Sequence, residues 1–210
     1  MTSSASSIWL GDPVILASKS RGRARLLESA GVPFDVVTSE IDERAIERSF
    51  AGPPADLAQA LADAKASAVS RMHATRTVLA GDQVLAYRDE VLHKASSEEE
   101  AIQQLARLSG GAHKLHSAVS IMRDGEIVFR NVSSVTVRLL PLTRDALAAY
   151  ARAAGRRMLE TVGGYEIEGL GVNIIESLEG DFFTVVGLPL LPILAFFRSE
   201  GYIRGWESAS

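Results

Sequence analysis

Residues 115–122 and 126–140 are two extended runs that meet at Asp124-Gly125. Asp-Gly suits a tight hairpin whose central residues need positive φ, so this part of the chain is predicted to form an antiparallel pair. Elsewhere strand and helix patterns alternate. Val14 to Ala17 is a short apolar run that reads as a buried strand, Ser18 and Ser20 stand where helix caps belong, and a helix is predicted from Arg21 to Ala30, closed by Gly31. Phe34 to Ile41 reads as a second strand running into Glu40, Asp42 and Glu43, and Pro53-Pro54 open a long helix with Leu57, Leu61, Ala64, Ala68 and Met72 along one face. Thr77 to Leu85 is apolar except at Asp82 and Gln83, and a turn at Arg88-Asp89 leads back into Val91-Leu92, which gives a hairpin near Asp82. Ser97 and Glu100 form a capping box for a helix that stops at Ser109-Gly110-Gly111. Thr143 caps a helix to Ala154, glycines crowd residues 163–171, a strand follows over 171–177, and the last helix runs to Glu200. Helices alternating with strands, combined with hairpins, predict an α/β fold with a mixed twisted sheet flanked by helices.

The chain has 210 residues, which suits one large domain or two small lobes sharing a core. Hydrophobic residues make up 47% and charged residues 23%, enough apolar material for a substantial core and too little charge for disorder. A net charge of −4 argues against an extended nucleic-acid surface, because binding a phosphate backbone needs clustered Lys and Arg. With no cysteine there are no disulfides or thiolate metal sites. Residues 1–12 are rich in Ser and Ala without a basic n-region and read as a loose, disordered tail before one domain over 13–205. Residues 185–197 are shorter than the roughly 20 needed to cross a bilayer and contain Gly187, Pro189 and Pro192, so they read as core. The expectation is a cytoplasmic protein without membrane or nucleic-acid polymer as partner.

Candidate chemistry begins in the loop Ser18-Lys-Ser-Arg-Gly-Arg23. Arg21, Arg23 and Arg25 stand at a helix start, where the macrodipole disfavours cations and an anion would compensate them. The arrangement reads either as a phosphate cradle or as a capped helix with solvated arginines. Asp82 interrupts an apolar strand and is costly to bury without a partner. It reads as a magnesium ligand or a base that activates water, or else as a strand-end turn residue beside Gly81. Glu43 and Asp42 are further carboxylates, which at a strand end are commonly just solvated. Lys65 lies at the edge of its helix's apolar stripe, a position that snorkelling explains, and Lys94 either reaches the cleft of Asp82 or lies on the surface. His113 and His116 lack partners at metal-ligand spacing, so zinc is not expected.

Taken in order, these segments resemble the Maf family from Val14 to Gly201. Leu16-Ala-Ser-Lys-Ser-Arg-Gly-Arg23 is similar to the family's opening strand and basic loop, Glu40-Ile-Asp-Glu43 to its acidic segment, and Leu61-Ala-Asp-Ala-Lys65 to its L-A-x-x-K-A. Gly81-Asp82-Gln83 resembles A-D-T or S-D-Q, whose Asp is the family's proposed proton acceptor, and His93-Lys94 resembles its K-P. Ser109-Gly-Gly-Ala-His113, Gly163-Gly-Tyr-Glu-Ile-Glu-Gly169 and Val186-Gly-Leu-Pro-Leu190 resemble the remaining signatures. The resemblance implies two lobes around a deep nucleotide-binding cleft, a fold related to that of inosine triphosphate pyrophosphatase, and often a homodimer. It also implies cleavage between the α- and β-phosphates of a nucleoside triphosphate with a divalent cation, magnesium first and manganese or cobalt as substitutes. Ser18, Arg23, Lys65 and Lys94 then hold the triphosphate, Glu43 and Asp82 hold the metal, and Asp82 is catalytic. Arg21 stands where proline is usual, and Ala95 also replaces a proline. Gly22 replaces a larger residue and is expected to leave a gap beside the base. Gln83 and Glu168 resemble the branch acting on 7-methyl-GTP, so Gly22, Gln83 and Glu168 are the expected specificity residues. The alternatives are a dTTP/UTP pyrophosphatase and a non-catalytic nucleotide-binding regulator tied to septum formation.

Overall fold

The computed structural model describes residues 8–88 and 90–204. β1 (Val14–Leu16) leads through a short loop into α1 (Arg21–Ser29), whose N-cap Ser20 accepts a bond from the Arg23 amide. Ser18 is not the cap. β2 (Phe34–Val36) is much shorter than the expected strand over 34–41, because Asp42 caps a helix, α2 (Glu43–Ser49), by accepting from the Ala45 amide. α3 (Pro54–Ser70) has proline in its first turn, as expected. Its buried face is Leu57, Ala58, Leu61, Ala62, Lys65, Ala66 and Val69, whereas Met72 lies beyond the helix and is exposed. Lys65 therefore sits in the middle of the buried stripe and does not snorkel.

β3 (Val78–Tyr87) turns into β4 (Glu90–Leu92); Asp89 of that turn lies outside the described residues. The hairpin is thus at the end of β3, and Asp82 is a mid-strand residue. α4 (Glu98–Leu108) is capped by Ser97, β5 (Ala112–Arg123) and β6 (Glu126–Leu139) form the hairpin at Asp124-Gly125, and Thr143 caps α5 (Arg144–Ala154). The glycine-rich segment then folds into three short 3-10 turns over 155–174, followed by β7 (Ile175–Glu179), which starts later than the sequence pattern places it. α6 (Phe182–Val186) and α7 (Leu190–Ser199) complete the chain. No helix of the described residues is long and apolar enough to cross a membrane.

The strands form one mixed sheet in the order β2-β1-β3-β5-β6-β7, with β4 also on β3. β1 runs parallel to β2 and β3; every other pairing is antiparallel. Two facts of register place the cleft. β5 pairs with β3 from Val78 to Ala86. On the opposite edge, β1 covers only Val78 and Leu79, and β4 covers only Leu85 to Tyr87. The edge is therefore open between Leu79 and Leu85, and the carboxyl ends of β1 and β4 approach this opening from opposite directions. Crevices outside strand carboxyl ends are where α/β sheets accept ligands.

The core divides at the same level. Leu85 and Leu115 join α4, α5 and Tyr165 in one apolar cluster; Leu79, Val119 and Ile121 join β1, α1 and α7 in another. Between them β3 carries Gly81, Asp82 and Gln83. Trp9 belongs to the second cluster, with its ring centroid 4.9 Å from that of Phe197, and it bridges to Ile203. The loose-tail reading thus fails for residues 8–12, because a buried tryptophan removes a large apolar surface from water; residues 1–7 lie outside the described part.

Candidate active site

The opening in the sheet edge is the floor of a cleft of about 1310 Å³. Successive side chains of a strand point to opposite faces, so Asp82 faces α3 and Gln83 faces α6. On the first face Asp82 Oδ1 accepts from Lys65 Nζ at 2.5 Å, and the same ammonium lies 3.0 Å from Glu43 Oε1 at the start of α2. Helical spacing puts Lys65 one turn beyond Leu61 on the buried face, which is why its ammonium meets the strand instead of water. From the end of β1, Ser18 Oγ accepts from Arg23 Nη1 at 2.9 Å and from the Ser20 amide at 3.2 Å, and Arg23 Nε donates to the Gly187 carbonyl at 2.7 Å. Gly81 makes this crossing possible: a Cβ there would stand 3.2 Å from Arg23 Nε and 3.2 Å from the Ala118 carbonyl. Lys94 enters from the end of β4.

Charge burial defines the electrostatics. Asp82, Lys65 and Arg23 are 6%, 8% and 9% exposed. Burial raises the Asp82 carboxyl above its ordinary range, against the opposing pull of the Lys65 and Arg23 cations. Burial lowers Arg23, opposed by Asp82 and Glu43. Lys94 is lowered first by desolvation against the cleft wall, although the residue is exposed on its outer side, and then by the cations of Arg23 and Lys65. An acidic group with raised proton affinity beside three cations is suited to accept a proton near a bound polyanion.

The sequence pattern of the Maf-like protein family matches residues 13–200. The chain belongs to that family. Among its relatives, a nucleoside triphosphate pyrophosphatase of Rhodopseudomonas palustris strain HaA2 is 44% identical over 92% of this chain and 96% of its own. Another of that name, from Bradyrhizobium diazoefficiens, is 43% identical over 93% and 98%. A 7-methyl-GTP pyrophosphatase of Brucella abortus is 42% identical over 91% and 98%. A HAM1 protein structure from Coxiella burnetii overlays with a TM-score of 0.40 at 14% identity, covering 62% of this chain and 74% of that one, a likeness too slight to bear on the fold.

The nine residues to which the Maf resemblance gives a site role line one cleft: Ser18, Gly22, Arg23, Glu43, Lys65, Asp82, Gln83, Lys94 and Glu168. Gly22 does not leave the expected gap. A Cβ at this position would already lie 3.1 Å from both Val186 Cγ1 and the Val186 carbonyl and 3.4 Å from Glu168 Oε2, so glycine brings α1 against α6. Arg21, in place of the usual proline, pairs across the cleft with Glu160. Arg44 and Arg48 on α2 and Tyr165 and Glu166 near Gly164 also line the cleft and were not singled out from the sequence. The capping Asp42 is the signal for the first pair. Tyr165 is fixed by a 2.6 Å hydrogen bond between its hydroxyl and the buried His113 Nε2, a contact between segments too far apart in sequence for any spacing rule.

Asp82 and Glu43 are the oxygen donors a divalent cation would use, and both already pair with the Lys65 ammonium. Asp82 and Glu43 supply hard oxygen ligands on either side of the Lys65 ammonium, while no group of three or more acidic or His ligands occurs among the described residues. Magnesium accepts such a sparse set when phosphate oxygens and water complete its shell.

Proposed function

We infer that this protein hydrolyses a nucleoside triphosphate to the monophosphate and pyrophosphate. The observation that carries this reading is the single constellation of Asp82, Lys65, Glu43, Arg23 and Lys94 at the open sheet edge. Arg23, Lys65 and Lys94 neutralise and orient the triphosphate. Water adds to the α-phosphorus, the bond from that phosphorus to the oxygen bridging to the β-phosphate breaks, and the water proton passes to the Asp82 carboxylate. Asp82 and Glu43 would hold a magnesium ion, which would stabilise charge on the phosphate oxygens and make a bound water more acidic.

The base pocket favours a guanine methylated at N7. Gln83 Nε2 donates to Ser117 Oγ at 3.0 Å and to the Thr184 and Val185 carbonyls at 2.9 and 3.1 Å, so its amide orientation is fixed and its carbonyl oxygen remains for a ligand. Glu168 offers only acceptors when ionised. Two acceptors suit the adjacent N–H donors of guanine, whereas thymine and uracil place one N–H between two carbonyls. A methylated, cationic ring further favours the neighbouring carboxylates Glu166 and Glu168. The Brucella abortus relative named a 7-methyl-GTP pyrophosphatase agrees with this choice.

Purified protein is to be incubated with 7-methyl-GTP, GTP, dTTP and UTP, with magnesium and with chelator. Monophosphate and pyrophosphate should form fastest from 7-methyl-GTP and only with the metal. Asp82→Asn should lower kcat by about 10² to 10⁴-fold in a folded protein. Nucleotide binding without pyrophosphate release from any substrate would leave a regulator in place of an enzyme, and preference for dTTP or UTP would overturn the base assignment.

A further inference from the structure

Of the cations Arg23, Lys65 and Lys94, two are anchored at their charged ends: Arg23 by Ser18 and Gly187, and Lys65 by Asp82 and Glu43. Lys94 stands on loop 93–97, where the like charges of Arg23 and Lys65 each act on it more strongly than the opposing carboxylates Glu43 and Asp82. Without a polyphosphate, repulsion and the freedom of a four-carbon stem favour swinging this ammonium into solvent. A proline after the lysine would stiffen the loop, but Ala95 occupies that position.

The loop is instead held from α4. Glu100 Oε2 accepts from the Ser96 amide and the Ser96 hydroxyl, both at 2.7 Å. Gln104 donates from Nε2 to the His93 carbonyl at 3.0 Å. Gln104 is 8% exposed, and its Oε1 is buried without a hydrogen-bond partner. An amide buried with an unmet acceptor is a poor choice for stability alone. These bonds bracket Lys94: one grips the peptide before it and the other the residue after Ala95.

We propose that Glu100 and Gln104 are positioning residues for Lys94, pinning both flanks of its loop to α4 so that its ammonium stays in the cleft against the repulsion of Arg23 and Lys65. The proposal rests on the pyrophosphatase reading of this cleft and adds to it a support outside the phosphate contacts.

The test is a double-mutant cycle on the full-length protein. Glu100→Ala and Gln104→Met are each made alone and with Lys94→Ala, and kcat, KM and Tm are measured on the preferred nucleotide. Each single change should lower kcat/KM about tenfold, mainly through KM, and should cause no further loss once Lys94 is alanine. Losses that multiply with that of Lys94→Ala overturn the proposal, as does unchanged kcat/KM in both folded single variants. Should Gln104→Met fail to fold, Glu100→Ala, at the half-buried rim of the cleft, completes the cycle alone. Calorimetry with a non-hydrolysable triphosphate analogue separates the two readings. The same non-additivity in Kd, without turnover by the parent protein, supports the positioning role while the pyrophosphatase reading falls.

Discussion

Asp82 shows how far single residues can be read. A carboxylate inside an apolar strand announces a partner because burial penalises its charge, and the sequence therefore makes it a candidate. Its partner is harder to see: counting Ala64, Ala68 and Met72 into the stripe of α3 moves Lys65 to the edge, whereas the face the helix buries is centred near Lys65 itself. The resulting electrostatics predict a pH profile. Asp82 must be ionised to take a proton and burial raises it, so kcat/KM should fall as pH drops through a value above the ordinary carboxylate range. Lys94 must be charged to hold phosphate and is lowered, so activity should fall again as pH rises through a value below the ordinary lysine range. Lys94→Arg should move the alkaline limb upward, since a guanidinium stays charged; a limb that stays put would remove Lys94 from it.

Elements were legible where their signals are local. The Asp124-Gly125 hairpin and the caps Ser97 and Thr143 form as their residues dictate, each cap accepting from the third amide onward. α2 is hidden in the sequence because Asp42 reads as the end of a strand, while the chain leaves the sheet at Val36 and uses that carboxylate as a cap. The contact of α1 with α6 was misjudged for another reason: a glycine within a helix says nothing about what approaches it. That contact gives a prediction at its own scale. Gly22→Val should wedge α1 from Val186, at a cost of about 1–3 kcal/mol in stability. It should also lengthen the Arg23 bond to Gly187 and shift Glu168. Assayed against the four nucleotides, it should lose kcat/KM with all and lose selectivity for the methylated purine most; an unchanged selectivity ratio would separate Gly22 from the base pocket.

At the scale of the whole molecule, alternating elements and hairpins foretell a mixed sheet, but not its order, since long-range pairing leaves no local mark. The tie of Trp9 to Ile203 is of that kind. So is the buried contact of His113 with Tyr165, which has a consequence for acid stability. Burial lowers His113 to about 4 from an ordinary value of 6.5. The unfolded chain therefore binds this proton at higher pH than the native one, and stability should be full above about pH 6.5 and decline as pH falls toward 4, by about 3 kcal/mol if this group acts alone. Urea titrations across that window should show the slope, and His113→Gln should flatten it; an equal slope in the variant would assign the acid loss to other groups.

The unequal edges of β3 bear on how the molecule works. β5 is bonded along nearly the whole strand, through both apolar clusters, while the opposite edge is interrupted. Swinging one half against the other would tear that continuous ladder, so the jaws are welded together at the back. Nucleotide must enter and products must leave through a fixed notch, with only the tethered tips at its rim free to yield.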